Sequence, residues 1–179
     1  MSSKEEEINV KDWIVLSTTM IGIVLTILAL IWPNRPSNGI ITATFLLMIG
    51  FILFVNSVSA NSKAKFEIKQ SDFDEEKVFR FVSFAEYSFG LGFTLVIIAF
   101  AFLGYKYLID DVGKNYLILA LPFAFLISAW VLIIIYNSIN YSGKAFKILR
   151  SMKRNIWIFF EFISLIFIVL DYFELIIIP

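Results

Sequence analysis

At 179 residues, with 59% hydrophobic and 17% charged residues and a mean hydropathy of +0.83, the chain lies outside the range of soluble domains, which carry about 45–50% apolar and about 25% charged residues. It holds no cysteine and no histidine, which excludes disulfides, thiolate-bound metals, axial haem histidines and imidazole acid–base chemistry from this chain. Net charge is zero, from 15 basic and 15 acidic residues, so the electrostatic signal lies in their placement.

Residues 1–11 are polar and include Glu5, Glu6 and Glu7, the wrong sign for the n-region of a signal peptide or the basic face of a transit peptide. The first apolar segment is therefore expected to be retained. Residues 13–34 carry no charge, and at about 1.5 Å of rise each they reach about 33 Å, enough to cross a hydrocarbon core of about 30 Å. Trp13 and Trp32 stand near the two ends of this span, 13–33, where amphipathic rings favour the headgroup level. Two prolines and a glycine between positions 33 and 39 stop the helix and predict an antiparallel return as a second span, 39–60.

Residues 63–80 form the one long charged connection, with five basic and five acidic residues among Phe66, Ile68, Phe73, Val78 and Phe79. The pattern fits a short amphipathic helix or a helical extension at the surface, and equally a solvated linker. A third span, 81–107, contains Glu86, Gly90 and Gly92, and residues 110–114 make its outer turn. The fourth, 116–141, contains Pro122, where a kink is expected. Residues 143–154 carry Lys144, Lys147, Arg150, Lys153 and Arg154 with no acid, and could hold anionic lipid headgroups. The last apolar stretch, 156–178, is long enough to cross but includes Glu161, Asp171 and Glu174. It is expected as a fifth span, with a re-entrant or tilted surface helix as the alternative and four spans in total.

With five spans, the N-terminal tail and the 63–80 and 143–154 connections share one side and hold two, five and five basic residues; Arg35, Lys106 and Lys114 lie opposite. Cytoplasmic loops are enriched in Lys and Arg, which puts the N-terminus in the cytoplasm and Pro179 outside. The expected fold is an all-α, polytopic helical membrane protein, one transmembrane domain in the cell membrane.

The segments 54–65 and 135–146 echo each other: each apolar run ends in Asn-Ser and meets its first charge seven residues after the Asn, at Lys63 or Lys144. The first and third spans align as well, Thr18, Gly22 and Thr26 against Ser88, Gly92 and Val96. A duplicated helical hairpin plus one extra helix is one reading, and chance alignment of apolar helices the other. Four-residue spacing places Thr18, Gly22 and Thr26 on one face, and Ser88 and Gly92 on another, where small residues admit a close helix.

Charge inside a span requires an account. Glu86 lies six residues beyond Arg80, Glu161 seven beyond Arg154, and Asn56 and Asn137 seven before Lys63 and Lys144. Regular helices would set all four about 10 Å inside the cytoplasmic boundary as one polar layer. Such oxygen ligands suit a proton or hard cation rather than copper, zinc or iron. The plainer reading is also physical: helix dipoles stabilise carboxylates in first turns, and amides hydrogen-bond between helices. Asp171 and Glu174, three apart near the outer end, are further candidates for an ion or proton pathway.

No nucleophile–base pair, phosphate-binding loop or metal motif is present, and the basic clusters are juxtamembrane, which does not imply nucleic acid. The expected function is a small channel or transporter for a cation, proton or small solute, acting as a homo-oligomer, with neither enzymatic activity nor a cofactor. A non-catalytic accessory or assembly subunit with a membrane-protein partner is the alternative.

Overall fold

The computed structural model describes residues 3–33, 39–70, 74–140 and 157–179, with the side chains of 3–9, 132, 133, 136–140 and 157 outside the description. These residues form five α-helices and no strand: α1 (Ser3–Ile31), α2 (Ile40–Ile68), α3 (Glu75–Val112), α4 (Tyr116–Asn140) and α5 (Trp157–Tyr172). Three are long and apolar enough to cross a membrane, namely the Val10–Ile31 part of α1, α2 and α3.

Local chemistry sets the helix ends. Gly39 precedes α2 at φ 91°, and its carbonyl accepts the Ala43 amide at 3.0 Å. Asp74 caps α3, its carboxylate accepting the Lys77 amide at 3.2 Å, and Glu75 and Glu76 follow at the positive end of the helix dipole. Gly113, at φ 83°, closes α3 by donating its amide to Ile109 O at 2.9 Å, the left-handed stop that glycine makes without a Cβ penalty. Asn115 caps α4 through the Leu117 amide at 3.1 Å. Pro122 lies inside α4; it removes one helical amide, and α4 continues as one helix to Asn140.

Helices α2 and α3 both outrun the expected spans. Beyond residue 60, α2 continues for two further turns to Ile68, and α3 begins at Glu75 rather than at 81. The charged connection is thus largely helical extension, and its charges pair, Lys77 with Glu67 across it and Arg80 with Glu76 along α3.

The chain divides into two compact units. The first comprises Met1–Arg35 and Thr44–Val96, the second Pro36–Ala43 and Ile97–Pro179. In the first unit α1 packs through Val10, Ser17, Met20, Val24 and Leu28, all buried. Thr18, Gly22 and Thr26 lie elsewhere on the helix and are exposed; a Cβ at Gly22 would meet nothing within 4 Å. The small-residue face expected to pack is therefore free in this chain, and the seam uses larger aliphatic residues. The exposed hydroxyls bond to their own helix, Thr18 to Ile14 O at 2.8 Å and Thr26 to Gly22 O at 2.9 Å.

The small residues of α3 do mark a close approach. A Cβ on Gly92 would lie 3.1 Å from Phe54 and 3.3 Å from Gly50 O, and one on Gly50 would lie 3.3 Å from Gly92 O. Glycine at both positions suits this close crossing, because a Cβ at either would press its neighbour back by a few tenths of an ångström. Ser88 is buried beside this crossing. Phe89 links Trp13 and Phe54 edge-on at 5.2 and 5.5 Å between centroids. Further along, Val10, Ala64 and Val78 form a small core covered by Ile14, Ile68, Phe81 and Val82.

In the second unit α5 presents Glu161, Ser164, Leu165, Ile168 and Asp171 as one buried stripe, the spacing of a single helix face. The helix ends at Tyr172, not at 178. Leu175 N donates to Leu170 O at 2.9 Å and Glu174 N to Asp171 O at 3.0 Å, while Glu174 adopts φ 61°. These are the paired bonds of a Schellman stop, with glutamate where glycine is usual. The chain then turns back, and the Pro179 main-chain oxygen accepts the Thr42 amide at 3.0 Å and its hydroxyl at 2.7 Å. That amide belongs to the first turn of α2, whose N–H groups have no partner within the helix.

Candidate functional site

Two groups of polar residues stand out, one in each unit. In the second unit, α3 brings Tyr105 and Lys106 to the end of α5, and the returning tail brings the Ile178 amide. Asp171 accepts from all three: Lys106 Nζ at 2.7 Å and Ile178 N at 2.8 Å on Oδ1, and Tyr105 OH at 2.9 Å on Oδ2. Every member is buried, Tyr105 at 1%, Ile178 at 4%, Asp171 at 7% and Lys106 at 8% exposure. Gly39 packs on the Lys106 stem so closely that a Cβ there would lie 2.5 Å from Lys106 Cγ. The ammonium balances the carboxylate, and the remaining carboxylate capacity is filled by neutral donors, the condition under which a buried ion pair is tolerated. This arrangement holds α3, α5 and the tail together.

Glu161, one candidate for an ion or proton pathway, is also buried, and the Trp130 indole donates to its Oε2 at 2.5 Å. Ser164 donates to the Glu161 carbonyl at 2.6 Å. Asn137 lies seven residues beyond Trp130 on α4, about 10 Å of helix rise, with its side chain outside the described residues. Glu174 is exposed and pairs with Lys114; that ammonium holds its carboxyl below the usual carboxylate range. Lys144, Lys147, Arg150, Lys153 and Arg154 lie outside the described residues.

In the first unit, Glu86 and Asn56 are both exposed. The antiparallel register of α2 and α3, set by Gly50 against Gly92 and by Lys63 over the Phe81 ring, puts Asn56 and Glu86 at the same height. Of the buried polar residues nearby, Ser57 belongs with the polar layer read from the sequence, whereas Ser17 and Asn61 were passed over. Ser17 and Ser57 share a hydrogen bond of 3.0 Å between α1 and α2. One turn further on, Asn61 is 1% exposed, and neither atom of its amide has a partner among the described residues.

Lys106 and Tyr105 were likewise missed. Lys106 reads as a helix-end charge facing water, and 65 residues separate it from Asp171. The available signal was a lysine between Tyr105 and Tyr107 at the end of an apolar run, opposite an aspartate in another. Among the described residues no three acidic side chains gather into a metal site. No protein-family model, curated protein or solved structure matches the chain.

Proposed function

We propose that this chain is an integral membrane protein of five crossings with its N-terminus in the cytoplasm, and that it works as an oligomer passing a cation, a proton or a small solute. The path runs along the contact between copies and includes Glu86 and Asn56. The observation that carries this reading is the exposure of both residues at one height of the α2–α3 hairpin. Around them, along the same helices, Phe45, Ile52, Phe84 and Phe93 are exposed too. A carboxylate on such an apolar surface is costly in hydrocarbon unless another protein surface or a polar path covers it.

Support for the bilayer as solvent comes from the exposed surface. Large apolar side chains stand outward along α1, α2, α3 and α4, among them Leu25, Leu30, Ile41, Phe100 and Ile127, and exposed hydroxyls bond to their own helices, as a surrounding without water requires. Support for the fifth crossing comes from the end of α5. Asp171 meets Lys106, Glu174 meets Lys114, and Tyr172 meets Tyr116 at 5.9 Å. All three partners belong to the end of the hairpin assigned to the outer side.

An accessory subunit of a larger membrane complex is the second reading, favoured by the free face of Thr18, Gly22 and Thr26. Reconstitution of the purified protein in liposomes separates the two. The first reading expects a cation or proton flux that Glu86→Gln lowers at least tenfold and Gly22→Leu leaves unchanged. Absence of flux, with a stoichiometric partner lost on Gly22→Leu, would establish the second.

A further inference from the structure

An open groove of about 500 Å³ lies where α2 and α3 leave the apolar band, lined by Ser62, Lys63, Phe66, Glu67, Lys77 and Phe81. Residues 36–62 carry no charge, and Lys63 is the first to follow them. We propose that the groove binds one anionic glycerophospholipid, with the phosphodiester on Lys63 Nζ and the glycerol and upper acyl chain against Phe66 and Phe81. The proposal rests on the membrane reading above.

Charge selects this occupant. Lys77 is paired with Glu67, whereas the Lys63 ammonium sits 5.9 Å from the Phe81 ring centroid and forms no ion pair with a carboxylate among the described residues. Two ammoniums and one carboxylate give the groove one net positive charge, which matches a monoanionic lipid. The aromatic ring holds the ammonium at the groove through its negative face without neutralising it. Position supports the same occupant: the groove opens at the Lys- and Arg-rich end of the helices, the side on which anionic lipids of the cytoplasmic leaflet attract basic residues. Phe66 at 65% exposure and Phe79 at 69% supply the aromatic surface suited to headgroup level.

The test is native mass spectrometry of the whole protein in detergent with equimolar phosphatidylglycerol and phosphatidylcholine. One phosphatidylglycerol should be retained per chain in preference to phosphatidylcholine. Lys63→Gln should lower that occupancy about fivefold, the effect of one ammonium beside anionic lipid, and Lys63→Arg should preserve it. Lys65→Gln, the same charge change outside the groove, should leave it intact. Equal retention of the two lipids, or an equal loss in Lys65→Gln, overturns the site. Extraction of the protein from membranes by alkaline carbonate would overturn the membrane reading itself, and retention there without lipid selectivity would overturn the groove alone.

Discussion

Lys106 and Asp171 meet at 2.7 Å with side chains only 10% and 6% exposed, so an ion pair 65 residues apart in sequence sits in a nearly dry part of an apolar protein. Removing one partner strands the other charge. Asp171→Leu and Lys106→Met should each destabilise the second unit by about 3–5 kcal/mol, whereas the two together should lose less than either alone. Unfolding of the four proteins in mixed micelles gives the coupling energy, and strict additivity would contradict a buried pair.

The Gly50–Gly92 crossing makes a contrast with Gly22. Alanine at Gly22 meets open space and should be neutral or stabilising by up to about 1 kcal/mol through helix propensity. Alanine at Gly92 must displace a fully buried Phe54 ring or the Gly50 backbone, so it should be worse than Gly22→Ala by about 1–3 kcal/mol. The same unfolding assay decides, and equal effects at the two sites would mean that the helices are not in this register.

Asn61 gives a prediction of the opposite sign. Its buried amide meets no partner among the described residues, so Asn61→Leu should leave stability unchanged or raise it by about 1–3 kcal/mol, the desolvation it removes. A large loss of stability would mean that the amide is engaged.

At Glu174 the expectation concerns pH. Its carboxyl is held low by Lys114, so the pair stabilises the fold above the ordinary carboxylate range and that contribution is lost as pH falls through the lowered value. Glu174→Gln should flatten this small acid-side decline in melting temperature and leave the neutral-pH value nearly unchanged, as exposed pairs contribute little.

Threading is tested with single cysteines in this cysteine-free protein. Lys69→Cys and Val112→Cys stand beyond opposite ends of the α2–α3 hairpin and should react with an impermeant maleimide from opposite sides of sealed vesicles. Labelling of both from one side would contradict the crossing of α3.

Helices were legible in the sequence because long uncharged apolar runs, if they are to cross a bilayer, can satisfy their backbone only within one segment. Their extents were less so. Charges at Glu67, Lys77 and Arg80 mark where the apolar runs end, and an α-helix tolerates them well, so α2 and α3 run on past that mark. The stop at Tyr172 uses glutamate in a left-handed position, which no composition rule anticipates. Packing faces were the hardest to read. When the outward side is as apolar as the seam, the usual contrast between them vanishes: within this chain α1 packs through Ser17, Val24 and Leu28, and Thr18, Gly22 and Thr26 face outward. At the α3 crossing steric need is specific, and there Gly92 and Ser88 announced themselves. Glu86 and Asn56 were legible as polar residues of one layer, and the register of α2 against α3 places these two at one height.

The three donors on Asp171 also impose an order of assembly. During synthesis α3 is complete long before α5, and Lys106 must meanwhile keep its ammonium in polar surroundings by means of its flexible stem. Arrival of Asp171 gives that lysine its counter-charge, and the Ile178 amide can join only after the chain has turned back on itself. The second unit therefore closes last, and a chain halted before residue 171 would leave Lys106 without its counter-charge.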